Sequence, residues 1–453
     1  MRIALVLLAF AAWSTAHAAP NLVVFLTDDL GGRDTSVYGS RDVRTPNIER
    51  LAAMGMTFEN AFIASPACAP SRAALLTGLM PARNGAEANH TYPHPGTAYL
   101  TESLHGLGYE IAAFGKVAHG EAKPEYGFDF YSRPRVGLAN NVAEYFEERS
   151  SDSPLCLLVG DRRPHVPWTE DNIYKPEDAS LPPYFVDTPE TREHRARYYS
   201  DITGLDSEFG RVMELATKEL GEDIIFVFTS DHGGQWPFGK WNLYDHGIRV
   251  PLIVAWKGRI EAGTRTDAMV SWIDLLPTLI DLAGGEVPSG IDGRSFASVL
   301  DGRSGEHRQE IFTTHSGDGV YNVYPIRSIR TKRYKYILNL LPDHIHTNHS
   351  DILRKDGAGA YWHSWDRAAM NDGEAAAIVQ RYFQRPAHEL YDLETDPLEQ
   401  TNLAERPESH SLLARLRERL ESWMDEQGDK KTVFNTPYPA SGPRPNAETV
   451  QRN

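Results

Sequence analysis

Four apolar runs in the first half of the chain lack polar alternation: residues 21–27, 109–114, 155–159 and 224–229. Runs of that length, rich in Val, Ile, Leu and Phe, fit strands covered on both faces, as in a parallel sheet. Between them lie stretches of helical period. Thr45-Pro46-Asn47 opens one that closes at Gly55, with Thr45 as cap and Pro46 in the first helical position. Residues 99–107 and 190–220 carry two more, and residues 274–283 a fourth that stops at Gly284-Gly285. Residues 247–254 read as a further strand. This alternation up to about residue 300 predicts an α/β fold, a mostly parallel sheet sandwiched by helices.

Beyond residue 300 the pattern changes. Residues 311–314 and 327–340 carry short β runs around the basic turn Thr331-Lys332-Arg333, followed by irregular His- and Trp-rich sequence to about residue 385. Residues 391–397 signal a strand and a turn, and residues 409–427 a charged amphipathic helix. The expected organisation is an α/β unit over 19–305, a smaller α+β subdomain over 306–436 and a loose proline-rich tail over 437–453. The first 18 residues differ again. Arg2, an apolar run over 3–13 and Ala16-His17-Ala18 follow the order of a secretory signal peptide, with Ala19 opening the mature chain. That run is too short to span a bilayer, and no later segment reads as a membrane helix, so a secreted or periplasmic protein with no membrane span is expected.

Composition narrows the function. The 453 residues are 41% hydrophobic and 24% charged, an ordinary globular balance, and the net charge of −16 argues against nucleic acid as a partner. Two cysteines allow at most one bridge, which excludes a disulfide framework. Cys156 sits in an apolar run and reads as a buried structural thiol. Cys68 has small and polar neighbours and directly precedes a proline-started helix.

Charged residues gather where strands end. Asp28-Asp29 follow the first strand and Ser230-Asp231-His232 the fourth, in the position where open α/β sheets gather ligands. Adjacent aspartates also cap turns and helices, so the pair alone decides nothing. Together, three carboxylates and a neutral donor suit a hard divalent cation, with direct ligation by His232 left open. Arg72, Lys116, His119, His165 and Lys240 add cations and proton carriers at other strand ends. Cations converging with a metal predict a bound oxyanion ester, sulfate or phosphate. A bare thiol suits such chemistry poorly, because a cysteine nucleophile normally works with a base rather than a metal.

The stretch Cys68-Ala69-Pro70-Ser71-Arg72, followed by Leu76-Thr77-Gly78, resembles the signature of type I sulfatases. Asp28-Asp29, Thr45-Pro46-Asn47, Gly115-Lys116, Pro164-His165, Ser230-Asp231-His232-Gly233 and Lys240 occur in that family's order, so the resemblance covers roughly residues 20–410. It implies an alkaline-phosphatase-like fold, a bound Ca2+, and conversion of Cys68 to formylglycine (3-oxoalanine) by a modifying enzyme, the aldehyde hydrate being the nucleophile. By the same resemblance Asp28, Asp29, Cys68, Asp231 and His232 match the metal positions, and Arg72 orients the hydrate. Lys116 and Lys240 touch sulfate oxygens, His165 protonates the leaving group, and His119 is the base that releases sulfate. Two positions depart from the usual pattern: Lys116 and His119 are one residue further apart than in many relatives, and His232 stands where Asn is common.

The back half is similar to heparan N-sulfatases in Pro183-Tyr184-Phe185, Asn242-Leu243-Tyr244, Tyr324-Pro325-Ile326-Arg327 and Glu389-Leu390-Tyr391-Asp392. That likeness implies a sulfated sugar as substrate, N-sulfated glucosamine above all, with His315, Asp318, Arg327, His344 and His346 as candidates to line a sugar pocket. The alternatives are a phosphodiesterase or phosphonate hydrolase of the same fold, and a non-catalytic glycan-binding relative.

Overall fold

A computed structural model describes residues 19–120, 123–134 and 136–450. The expected leader over 1–18 lies outside the described residues. Eight strands form the main sheet: β1 (Asn21–Thr27), β2 (Met56–Phe62), β3 (Glu110–Gly115), β4 (Phe130–Ser132), β5 (Leu155–Gly160), β6 (Ile224–Ser230), β7 (Leu252–Trp256) and β8 (Thr264–Ser271). Their order is β4-β3-β5-β1-β6-β7-β2-β8, with β7 antiparallel to both its neighbours and every other pair parallel. A second sheet, β12-β11-β10-β9, is antiparallel throughout and uses β9 (Ile311–His315), β10 (Ile326–Arg330), β11 (Tyr334–Asn339) and β12 (His388–Asp392). The mostly parallel sheet and the smaller antiparallel one match the expected α/β class with an α+β subdomain.

The four runs without alternation are the four adjacent strands β3, β5, β1 and β6, and every residue from Leu22 to Thr27, from Leu155 to Gly160 and from Ile224 to Ser230 is buried. Their register aligns the strand ends. Gly115 pairs with Gly160, Leu26 with the same Gly160, and Thr27 with Ser230. Lys116, Asp161, Asp28 and Asp231 therefore leave the sheet side by side at its carboxyl edge.

Helix α1 (Pro46–Met54) begins after Thr45, but the Thr45 hydroxyl bonds Ser36 and does not cap it. Asp206, from the long helix Pro189–Leu220, takes the free amides of Asn47 and Ile48 instead. Helix α2 (Cys68–Thr77) is buried at all ten residues. Ala74, with Ala64 and Met80 beside it, joins a core completed by Ile329, Tyr336, Leu416, Leu420 and Trp423 of the small sheet and the helix His410–Gln427. The small sheet thus backs the helix that starts at Cys68, and β9 also holds the approach to it through Thr314 N–H to Ala64 C=O at 3.0 Å.

Several expectations are corrected. Within 247–254 only the last residues are strand, because Asp245–Ile248 closes a helical turn first. The stretch expected to be irregular before residue 385 contains the helices His349–Leu353, Trp362–Ala369 and Gly373–Phe383, whose aromatic side chains pack on one another and on Phe185 and Trp236. His165 sits in a tight turn closed by its N–H to Arg162 C=O, between two cis prolines. The tail expected to be loose runs back along the chain, with Ile345 N–H to Tyr438 C=O at 2.7 Å and Tyr438 Oη to Val320 C=O at 2.6 Å. Among the described residues no helix is long and apolar enough to cross a membrane.

Candidate active site

The carboxyl edge of the main sheet opens into a cleft of about 600 Å³ with Cys68 in its lining. Cys68 is 2% exposed and occupies the first position of α2 after Ala67. Its Sγ lies 3.2 Å from Lys116 Nζ, 3.3 Å from His232 Nε2 and 3.6 Å from Asp28 Oδ1. One ligand atom each from Asp28, Cys68, Asp231 and His232 falls within 4.8 Å of all the others, and so do atoms of Asp29, Cys68 and His165. Nine residues singled out in the sequence therefore gather around Cys68, which the two groups share: these six, with Arg72, Lys116 and Lys240 bonded to their carboxylates.

Arg72 knits the strand ends together from one turn into α2. Its Nε bonds Asp231 Oδ2 at 2.9 Å, Nη2 bonds Thr27 C=O at 3.3 Å, and Nη1 bonds the carbonyls of Lys116 and Val117. Lys116 Nζ is 2.5 Å from Asp28 Oδ2, and Lys240 Nζ is 2.9 Å from Asp29 Oδ1. Asp29 has φ +71, in the left-handed region, and its amide donates to Asp231 Oδ1 at 3.1 Å.

These neighbours decide the charges. Burial favours neutral carboxyls, yet Lys116, His165 and Arg72 hold Asp28 well below the ordinary range, and Lys240 and His165 lower Asp29. Asp231 is raised, by burial and then by the charge of Asp28. Burial opposes a charged His232, but Asp231 and the other anions around it push it up to about 9. His165 goes the other way, to about 4, because burial outweighs the attraction of Asp29. Its Nδ1 is 2.6 Å from Val166 C=O, which fixes the hydrogen there and leaves Nε2 for other work.

His119 stands on the cleft wall, apart from this cluster. Burial, with Lys116 and His90 nearby, lowers it to about 3. Its Nε2 is 2.8 Å from His90 Nδ1, and its Nδ1 is buried with no hydrogen-bond partner among the described residues.

Of the candidate sugar-pocket residues only Asp318 lines the cleft. His315 and His346 turn inward and share Asn322, at 2.9 and 3.4 Å. Arg327 is buried in an ion pair with Asp429. His344 lies beside the returning tail, bridged to Pro439. Asn89, His90, Trp241 and His349 line the cleft without having been singled out. Trp241 alone carried a signal, as the neighbour of Lys240 in the loop after Asp231.

A family model described as Sulfatase matches residues 20–285, and one described as N-sulphoglucosamine sulphohydrolase, C-terminal, matches residues 232–346. The chain is 30% identical over 429 residues to an "Ulvan-active sulfatase" of Formosa agariphila, spanning 92% of this chain and 82% of that one. It is 28% identical over 473 residues to the N-sulphoglucosamine sulphohydrolase of Homo sapiens, spanning 91% of each. In fold it is similar to a protein solved in complex with its substrate D-glucosamine-2-N,6-O-disulfate, with a TM-score of 0.69 at 20% identity over 92% of this chain and 100% of that one. The phosphonate monoester hydrolase of Agrobacterium radiobacter gives a TM-score of 0.68 at 20% identity, over 93% and 100%. Likenesses at that identity speak to the fold alone.

Proposed function

The chain belongs to the sulfatase family and is a hydrolase of sulfate esters or sulfamates; from that premise we propose that it desulfates a heparin- or heparan-type glucosamine, using calcium and an oxygen nucleophile made from Cys68. The observation that carries the reading is the surroundings of Cys68 Sγ. It lies within 3.6 Å of a lysine, a histidine and an aspartate, at the base of an open cleft. The match to the C-terminal model of N-sulphoglucosamine sulphohydrolases and the human relative support the glucosamine class.

The residues fit the implied ion. Three buried carboxylates gather around Cys68, and their field, which pushes His232 up to about 9, is one that a cation held there would offset, with His232 ligating as the neutral imidazole. Such a place suits a hard cation with oxygen ligands, and Asp28, Asp29, Asp231 and His232 would hold it. Calcium would supply a Lewis acid for the sulfate oxygens, and the aldehyde hydrate derived from Cys68 the attacking oxygen. Lys116 and Lys240, both raised by their carboxylate partners against burial, stay charged and offset negative charge that builds on the sulfate. Arg72 fixes the start of α2 against the strand ends. His165, neutral with its hydrogen held on Nδ1, must first take a proton at Nε2 before it can deliver one from there to the leaving group, and His119 can take one at Nδ1.

Mass spectrometry of the peptide containing residue 68, from protein made in its native host, tests the nucleophile. The expected result is an aldehyde; an unmodified thiol together with no sulfate release overturns the reading. Comparison of N-, 2-O- and 6-O-sulfated sugars with aryl phosphonate monoesters tests the substrate, and faster turnover of the phosphonates would replace it with the phosphonate reading.

A further inference from the structure

We propose that Asp318, His90 and His119 form a relay that fixes His119 as the tautomer with hydrogen on Nε2 and a bare Nδ1 on the cleft wall. The proposal rests on the reading that His119 accepts a proton during turnover. In it His90 and Asp318 are positioning residues.

The chain of contacts starts at Asp318, in the loop that follows β9. It is 2% exposed, and its Oδ2 accepts hydrogen bonds from Asn89 Nδ2 and Trp241 Nε1, both at 2.8 Å. Oδ1 lies 3.4 Å from His90 Nε2, and His349 Nδ1 is 3.8 Å from Oδ2. Burial opposes charge on Asp318, but His349, His90 and Asn89 together keep its carboxyl far below the ordinary range. Asp318 is therefore a carboxylate and can only accept.

The hydrogens downstream follow from that. His90 Nε2 lies 3.4 Å from both Asp318 Oδ1 and Asn89 Nδ2; the carboxylate's charge outweighs the neutral amide, whose nitrogen also donates to Asp318, and holds the hydrogen on His90 Nε2, so His90 in its neutral form presents a bare Nδ1. Across 2.8 Å the facing atom is His119 Nε2, which must then be the donor. Neutral His119 with its hydrogen on Nε2 has a lone pair at Nδ1, the buried atom that lacks any partner among the described residues. An acceptor with no donor beside it is a place for an incoming proton.

The backbone is arranged to keep His90 there. Its φ is +65, in the left-handed region that few histidines adopt, and such strain persists only where surrounding contacts over-determine it. Asn89 supplies the contacts. Its Oδ1 accepts from Ala69 N–H at 3.1 Å, beside Cys68, while its Nδ2 donates to Asp318. The two imidazoles meet edge to face, with centroids 4.8 Å apart. The His90 side chain is 63% exposed, so a proton taken at His119 Nδ1 has an exit: the Nε2 hydrogen moves to His90 Nδ1, and His90 gives up its own to solvent. One proton leaves the cleft and both rings are left with hydrogen on Nδ1; the starting tautomers return when His90 Nε2 takes a proton back from solvent beside the Asp318 carboxylate, its Nδ1 hydrogen passes to His119 Nε2, and His119 Nδ1 releases its own to water in the emptied cleft.

The test uses the full chain labelled with ¹⁵N-histidine, in mildly alkaline buffer. Long-range ¹⁵N spectra should show His119 protonated at Nε2 and bare at Nδ1. In Asp318→Asn the amide offers hydrogen to His90 Nε2, so both tautomers should reverse. Hydrogen on His119 Nδ1 in the unmutated protein overturns the relay whether or not sulfate is released, while absence of turnover with the expected tautomers counts against the reaction assigned to the site and leaves the relay standing. Kinetics give a second readout. Asp318→Asn and His90→Gln should each lower kcat by roughly 10- to 100-fold with little change in KM. In a His119→Ala background neither should lower it further. A further loss in that background would mark a merely structural role and would also overturn the proposal.

Discussion

Arg72 Nε and Asp231 Oδ2 lie 2.9 Å apart with both side chains wholly buried, although 159 residues separate them in the chain. The same guanidinium reaches the carbonyls of Thr27, Lys116 and Val117, so a planar five-donor fork joins α2 to the ends of β1, β3 and β6. Arg72→Ala would leave Asp231 and Asp28 buried with less compensation. A loss of about 3–5 kcal/mol in urea unfolding is expected, with Arg72→Lys only partly restoring it. A change below about 1 kcal/mol would mean that the pair contributes no more than a surface ion pair.

Gly160 sets how closely the third strand end approaches. A Cβ there would stand 2.2 Å from the carbonyl carbon and oxygen of Lys116. Gly160→Ala should therefore displace Lys116, lowering stability by about 1–3 kcal/mol and kcat by at least about tenfold. Gly373→Ala, where nothing lies within 4 Å of the added carbon, is the control. Equal behaviour of the two variants in thermal melts and initial-rate assays would contradict this account.

Asp351 gives a pH dependence of defined sign. Burial raises its carboxyl to about 7, although Tyr382 Oη at 2.7 Å and Asn348 N–H at 2.6 Å favour the anion. The unfolded value is about 3.9. The fold thus favours the protonated form, and that contribution is whole below the unfolded value and lost as pH rises through about 7. The stability of the unmutated protein minus that of Asp351→Asn should fall by up to about 1.4 kcal/mol per pH unit in that window, then level off. A flat difference across the window, measured by denaturant titration, refutes the assignment.

Removal of the ion should be felt by the fold. If Asp28, Asp29 and Asp231 share a cation, a chelator lowers the melting temperature and Ca2+ restores it, by about 2.7 kcal/mol at a hundredfold excess over Kd. Asp29→Asn should abolish the restoration. Restoration by Mg2+ alone would assign the site to the smaller ion.

The central sheet and its chemistry were legible because buried parallel strands leave unbroken apolar runs, and the charged groups stand immediately after them, as at Thr27 and Ser230. Asp28, Arg72, Lys116, His165, Asp231 and Lys240 could be collected that way. Strand β8 could not be read as easily, since its first half, Thr264 to Asp267, is polar and partly exposed. The helices over 349–383 were hidden by aromatic residues whose spacing serves contacts with distant segments. Which way a loop histidine turns is set by partners elsewhere in the chain. Asn322 claims His315 and His346, and Asp318 faces His90, so the sequence offered five equal candidates of which the fold uses one in the cleft.

The burial of α2 along its whole length also orders events in time. Cys68, Ala69, Ser71 and Arg72 are at most 2% exposed, and Pro70 between them is buried. An enzyme that had to read Cys68, Pro70 and Arg72 as a strip of extended peptide would find none of it on the folded surface. Conversion of the thiol, if it occurs as proposed, would therefore belong to the period before the sheet closes over this helix, and a chain that folded first would keep its cysteine.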